Sequence, residues 1–225
     1  MRAVWVYRNV EVHWLGHDSF VLRGSKTVVI DPFKAQGNYK ADALLISHEH
    51  YDHLSEDDIR RFSQDSTVIV APRICRDPLR KFKQEKILVA PGERVEAGGM
   101  TVEAVPAYNL NKFRSPGKPF HPKEDGRVGF VITLDGVKFY HAGDTDATPE
   151  MRSLDVEVAL LPVSGTYVMT ADEAAEAAKA MRVRVAIPMH IGSIVGTKAD
   201  AERFKIIGEK LCAGQGKQFV ILDKE

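Results

Sequence analysis

The chain has 225 residues; 31 Lys and Arg balance 31 Asp and Glu, and eight His stand outside that balance. A hydrophobic content of 44% and a charged content of 28% belong to a globular protein with a real core, and the length suits one domain spanning 1–225. A neutral chain is a poor polyanion binder, and no apolar run approaches the roughly 20 residues of a membrane span, so neither nucleic acid nor membrane is the expected partner.

The opening MRAVWVYRNVEVHW alternates and carries charge, unlike a signal peptide. Short β-branched or aromatic segments at 4–7, 10–15, 20–23 and 26–30, punctuated by Asn9 and Gly24-Ser25, predict a strand meander. A continuous apolar run at 43–47 predicts a buried strand that leads directly into HEHYDH. Ser55 followed by Glu56, Asp57 and Asp58 predicts a helix start. Strands are expected at 67–71, 87–90, 94–97 and 100–106. Residues 109–126 lack periodicity, and carry Lys112, Arg114, Lys118, His121 and Lys123; both a solvated loop and a substrate-facing lid fit them.

The Asp135-Gly136 pair predicts a hairpin of 128–134 with 137–141. Strands follow at 158–162, 185–189 and 218–222, alternating with a helix opened by the Thr170–Glu173 capping box and an amphipathic helix at 200–211. Strands followed by strand–helix alternation, twice over, predict an α/β fold of two sheets with helices outside. Cys75 and Cys212 form no paired motif, which points to a reducing, cytoplasmic setting.

The densest chemical signal is His48-Glu49-His50-Tyr51-Asp52-His53. Imidazole and carboxylate are the ligand set for zinc and related ions, and one tetrahedral ion could not easily take four donors from so tight a loop. Two ions are therefore expected. The helical HExxH motif is excluded because Asp52 stands where its second His belongs.

HEHYDH resembles the HxHxDH signature of the metallo-β-lactamase superfamily. GHDSF at 16–20, IDPF at 30–33, HAGDTD at 141–146 and IPMHIG at 187–192 continue the resemblance in order, most closely to the branch of ascorbate-6-phosphate lactonase and uncharacterised metal-dependent hydrolases. The resemblance implies a four-layer αββα sandwich of two mixed sheets. It implies His48 and His50 as ligands of a first metal, Asp52, His53 and His190 of a second, and Asp144 as the bridge. The family's third His at the first site is missing near 105–109, where Val105 to Asn109 contains none. Three readings compete: His121 reaches back into the position, His17 contributes, or Asn109 or water leaves the site incomplete.

By the same resemblance, Asp31 orients a ligand His; His141, at the strand end just before Ala142-Gly143-Asp144, reads either as a support behind the metal ligands or as simply buried. His13 reads as structural, and Tyr108, Asn109 and Tyr167 are candidates to touch substrate. The expected chemistry is attack by a metal-activated hydroxide on an ester, lactone or phosphodiester bond of a small, anionic substrate. Asp52 would orient the attacking group, and His17 is the candidate acid. Zinc is the leading metal, with manganese, nickel and iron also compatible. A nuclease and a non-catalytic metal sensor are the competing functions, and a homo-oligomer is left open.

Overall fold

The computed structural model describes residues 4–225, so residues 1–3 of the expected opening segment lie outside the described residues. The first sheet contains, in sequence order, β1 (Trp5–Tyr7), β2 (Val10–Gly16), β3 (Ser19–Arg23), β4 (Thr27–Ile30), β5 (Ala43–Leu45), β6 (Val68–Pro72) and β7 (Glu85–Val89). Pairing is antiparallel from β1 to β4 and parallel from β4 to β7.

The second sheet repeats that logic. It contains β8 (Arg94–Ala97), β9 (Met100–Pro106), β12 (Val128–Leu134), β13 (Val137–His141), β14 (Val158–Pro162), β15 (Val185–Met189) and β16 (Gln218–Phe219). Pairing is antiparallel from β8 to β13 and parallel from β13 to β16. Between β9 and β12, β10 (Phe113–Ser115) and β11 (Lys118–Pro119) form a separate two-stranded ribbon inside the segment expected to lack regular structure.

Strand alternation builds the layers. Val28, Ile30, Leu45 and Val70 join Phe130 and Ile132 of the second sheet in one core. Their neighbours Val29, Leu44, Ile46 and Ile69 face the other way, against Ile59 and Phe62 of α1 (Glu56–Phe62). Successive side chains leave opposite faces of a strand, so an unbroken apolar run such as Ala43 to Ile46 serves two layers at once. Short helices α2 (Arg76–Leu79) and α3 (Pro149–Arg152), which carry little periodicity of their own, were not apparent from sequence. On the second sheet's outer side lie α4 (Ala171–Ala180), capped by Thr170 and Glu173, and α5 (Lys198–Leu211). Gly208 is required there: a Cβ would sit 2.1 Å from the Phe219 ring. The expected last strand, 218–222, pairs only over its first two residues.

Candidate metal centre

Both sheets end their parallel strands toward the same place, and the loops that follow carry the polar residues, the usual location of a site in α/β sheets. β4 runs into Asp31, β5 into Ser47 and His48, β13 into Asp144 and β15 into His190. The β2–β3 turn adds His17 and Asp18. Sharp exits from the strands put His17, Asp31 and His190 at φ of 52°, 42° and 62°, in the left-handed region that costs non-glycine residues energy and clusters at functional sites. Gly143 also has positive φ, and a Cβ there would lie 2.9 Å from the Val128 carbonyl oxygen and 3.0 Å from Ser47 Cβ. Only glycine lets the Asp144 loop lie against the Ser47–His48 loop.

Two groups of donors result. His48, His50, His121 and Asp144 present ligand atoms all within 4.8 Å of one another, and His17, Asp18, His53 and His190 do the same. Asp144 stands between them. Its Oδ2 lies 3.4 Å from His121 Nε2 and 3.9 Å from His48 Nε2. Its Oδ1 lies 3.3 Å from His190 Nε2 and 3.4 Å from His53 Nε2. Asp18 Oδ2 lies 3.6 Å from His53 Nε2 and 3.8 Å from His190 Nε2.

In His48, His53, His121 and His190 the Nδ1 nitrogen is tied down from behind. Ser47 donates through its N–H and Oγ to Asp31, at 2.7 and 2.5 Å. Its hydroxyl proton thus committed, Ser47 Oγ accepts from His48 Nδ1 at 2.9 Å. His53 Nδ1 donates to Asp31 Oδ2 at 2.8 Å, and His121 Nδ1 donates to Asn109 Oδ1 at 3.0 Å. His190 Nδ1 pairs with Ser164 Oγ at 2.8 Å. The hydrogen-bond network thus assigns Nε2 of His48, His53 and His121 to the centre, His190 Nε2 faces Asp144 at 3.3 Å, and His50 presents Nδ1, 2.9 Å from His48 Nε2; such second-layer partners fix ligand tautomers.

Among the described residues, both oxygens of Asp18, Asp144 Oδ1, His53 Nε2 and His121 Nε2 are buried without a hydrogen-bond partner. Buried carboxylate oxygens are expensive to leave unpaired, so this concentration of orphans fits cations. Burial and the neighbouring imidazole of His53 push His48 well down, burial and Arg127 lower His50, and burial takes His121 to about 4. Each is therefore a neutral ring with a lone pair to give. Around Asp144 the balance reverses. Burial opposes charge, but the carboxylates of Asp144 and Asp31 hold His53 well up, and those of Asp144 and Asp18 hold His190 at about 9. His190 and His53 in turn pull buried Asp144 well down. Without a cation, protons balance the carboxylates here; a bound cation displaces them.

The structure places the remaining predicted residues as follows. Of the readings for the missing first-site His, it brings His121 to His48 and His50, and seats His17 at the other group, its ring 4.4 Å from that of His190. Asn109 sits behind His121 as acceptor rather than filling its position. Asp52 is 3.8 Å from His53 Nε2, but its closer partner is His17 Nε2 at 3.1 Å. His141 Nε2 donates to the Asp18 carbonyl at 2.8 Å and so supports the β2–β3 turn from behind. His13 meets Glu225, Glu11 and Tyr39, away from the centre.

Over the donors opens a cavity of about 250 Å³, lined by His50, Tyr51, Asp52, Phe120, His121, Asp144, Tyr167 and Ile194. Tyr167 is there as expected; Tyr108 is not, because its hydroxyl donates to Glu150 at 3.0 Å and accepts from Lys123 at 3.3 Å. The sequence reading passed over Asp18, although it adjoins His17 in GHDSF, and over the apolar wall of Tyr51, Phe120 and Ile194. It also missed Asp146, whose Oδ2 accepts from the N–H groups of Leu110 and Asn111 and so fixes the start of the 109–126 segment. Arg127 fixes the end of that segment by pairing in bidentate fashion with Glu49 of HEHYDH.

Residues 11–190 match the family described as the beta-lactamase superfamily domain, and the chain belongs to that family. It is 34% identical over 214 residues to a UPF0173 metal-dependent hydrolase of Thermoplasma acidophilum, covering 88% of this chain and 91% of that one. Among solved structures, a chain from Parabacteroides distasonis superposes with a TM-score of 0.77 at 29% identity, covering 96% of this chain and 94% of its own. Igni18, a metallo hydrolase of Ignicoccus hospitalis, superposes with a TM-score of 0.74 at 25% identity, covering 95% of each chain.

Proposed function

We propose that this protein is a binuclear metal-dependent hydrolase acting on an ester-type bond of a small molecule. The observation that carries the reading is Asp144, whose two oxygens each face a different pair of imidazole Nε2 atoms in a buried, otherwise unpartnered pocket. His48, His50 and His121 would hold one divalent ion, Asp18, His53 and His190 the other, and Asp144 both. The donor set suits zinc, and manganese, nickel and iron accept the same atoms. When bound, such ions polarise the scissile group and lower the pKa of water beside them.

The chain's own groups supply the rest. Asp52 lines the cavity and is hydrogen-bonded to His17, so its carboxylate is placed to orient an attacking water and take its proton. His17 Nε2, 3.1 Å from Asp52 Oδ2, is the adjoining proton carrier and the candidate donor to the leaving group. The His17 ring is buried against His190, and Trp14 Nε1 and His190 N both donate to the His17 carbonyl, which fixes its backbone. The names of the relatives support hydrolysis. We read residues 1–225 as one domain and, from two buried free cysteines, the compartment as reducing and cytoplasmic. No helix of the described residues is long and apolar enough to cross a membrane.

Replacing His48 and His50 together by Ala is expected to remove bound metal, read by elemental mass spectrometry, and hydrolysis in the same preparation. Full turnover by a metal-free double variant would overturn the reading.

A further inference from the structure

The walls of the cavity differ from its floor. The floor is His50, Asp52, His121 and Asp144; the walls are Tyr51, Phe120, Tyr167 and Ile194, and no Lys or Arg lines it. Tyr51, Tyr167 and Ile194 are 67%, 37% and 39% exposed, so apolar surface stays open beside a charged centre. Several exposed apolar side chains converging on one concavity mark a binding surface, whereas scattered ones do not. Phe120 and Tyr167 stand edge to face with ring centroids 4.8 Å apart, which fixes the wall's shape. Tyr167 is held at a φ of 135°, and its carbonyl accepts from Asn109 Nδ2 at 2.8 Å. The same Asn109 orients His121, so one side chain sets both a donor of the floor and a ring of the wall.

Three cations in and beside the neighbouring segment are ion-paired, and the other two lie outside the lining. Lys112 pairs with Glu173 at 2.7 Å, Lys123 with Glu150 at 2.9 Å, and Arg127 with Glu49 and Asp125. Arg114 lies over the Phe120 ring, 5.7 Å from its centroid, outside the cavity lining, and Lys118 is in the β11 ribbon. Nothing in the lining is built to select a negatively charged group away from the reacting atoms.

We propose that the cavity selects a neutral carboxylic ester whose acyl part carries a phenyl-sized group, seated on Phe120 and Tyr167. The proposal rests on the hydrolase reading above. It departs from the small anionic substrate expected from sequence, because no Lys or Arg lines the cavity to hold a second negative charge away from the metal centre. A dry cavity of about 150 Å³ accepts benzene, so about 250 Å³ holds a ring together with the ester it carries. In the reaction, a water oxygen bonds to the acyl carbon and the acyl–oxygen bond breaks. One water proton ends on the leaving alcohol oxygen, and the other is released as the acid product ionises.

The test compares metal-loaded protein with three hydroxamate probes that share a metal-binding group: benzohydroxamate, acetohydroxamate and succinate monohydroxamate. Benzohydroxamate is expected to bind roughly tenfold or more tightly than either of the others, as burial of one ring implies. Replacing Phe120 by Ala and Tyr167 by Gly should bring the three within about threefold at unchanged metal content. The exposed-site change Ile194→Lys should raise affinity for the succinate probe alone. Turnover of p-nitrophenyl benzoate is measured beside p-nitrophenyl hydrogen succinate. Equal or tighter binding of the succinate probe, preferential cleavage of the succinate ester, or a binding ratio untouched by the wall substitutions overturns the proposal while leaving a hydrolase. Selective benzohydroxamate binding with neither ester cleaved supports the ligand class and overturns the hydrolase reading.

Discussion

Asp31 shows how much one side chain outside the donor set can decide. It takes two hydrogen bonds from Ser47 and one from His53, and through Ser47 Oγ it also sets which nitrogen of His48 faces the centre. Its φ of 42° is tolerated by Asn, so Asp31→Asn preserves the backbone but removes the carboxylate. Metal affinity is expected to fall by roughly 10–100-fold, measured by competition with a chelator of known affinity. IDPF resembles the family block well enough for this role to be expected from sequence. Asp18 was harder to recognise: in one dimension it is a turn residue before a strand, and only the fold brings it between His53 and His190. Tyr108 failed in the opposite sense. It neighbours Asn109 in the chain, but its hydroxyl is satisfied by Glu150 and Lys123.

At the scale of elements, the 109–126 segment is positioned by helix α4. Glu173 completes the cap of that helix by accepting from the Thr170 N–H at 2.8 Å, and accepts from Lys112 at 2.7 Å and Asn111 at 2.7 Å. Partial burial works against its charge, but Lys112, the Thr170 N–H and Asn111 hold the carboxyl down at about 2. Because the folded value lies below the ordinary 4.5, the contribution to stability is complete above that value and is lost as pH falls toward 2. Glu173→Gln is therefore expected to lower the unfolding free energy at neutral pH by roughly 0.5–1 kcal/mol, read from the shift of the urea midpoint, for a partly buried pair. The difference from wild type should shrink steadily as the titration is repeated below pH 4.5, and a constant difference would contradict the assignment. Strands were legible because alternation and short apolar runs are local signals; β8, β9, β12, β13, β14 and β15 lie where the pattern puts them. The β10–β11 ribbon and the short helices were not, since two to four residues leave no period to read.

For the molecule as a whole, gathering Asp18, Asp144 and the imidazoles is offset in part by protons on His53 and His190, and a cation would offset it further. Binding to the folded state alone adds stability by mass action, about 2.7 kcal/mol at a hundredfold excess over Kd. Chelation is expected to lower the melting temperature, and re-addition of zinc or manganese to restore it. A melting temperature indifferent to both would argue against cation binding at Asp144. The two sheets share one core, so this loss should appear as a single cooperative transition.

Taken alone, the sequence determined the strand–helix order, the two-sheet architecture and most of the donor set, because hydrophobic period and a ligand-dense hexapeptide are written in neighbouring residues. Tertiary structure alone decided that His121 and not His17 stands with His48 and His50, and that Asp18 joins the second group. It also turned Lys112 and Lys123 of the 109–126 segment toward Glu173 and Glu150 and left the cavity walled by Tyr51, Phe120, Tyr167 and Ile194. Those outcomes depend on which of several nearby groups satisfies a charge first, and that competition is settled only when distant strand ends meet.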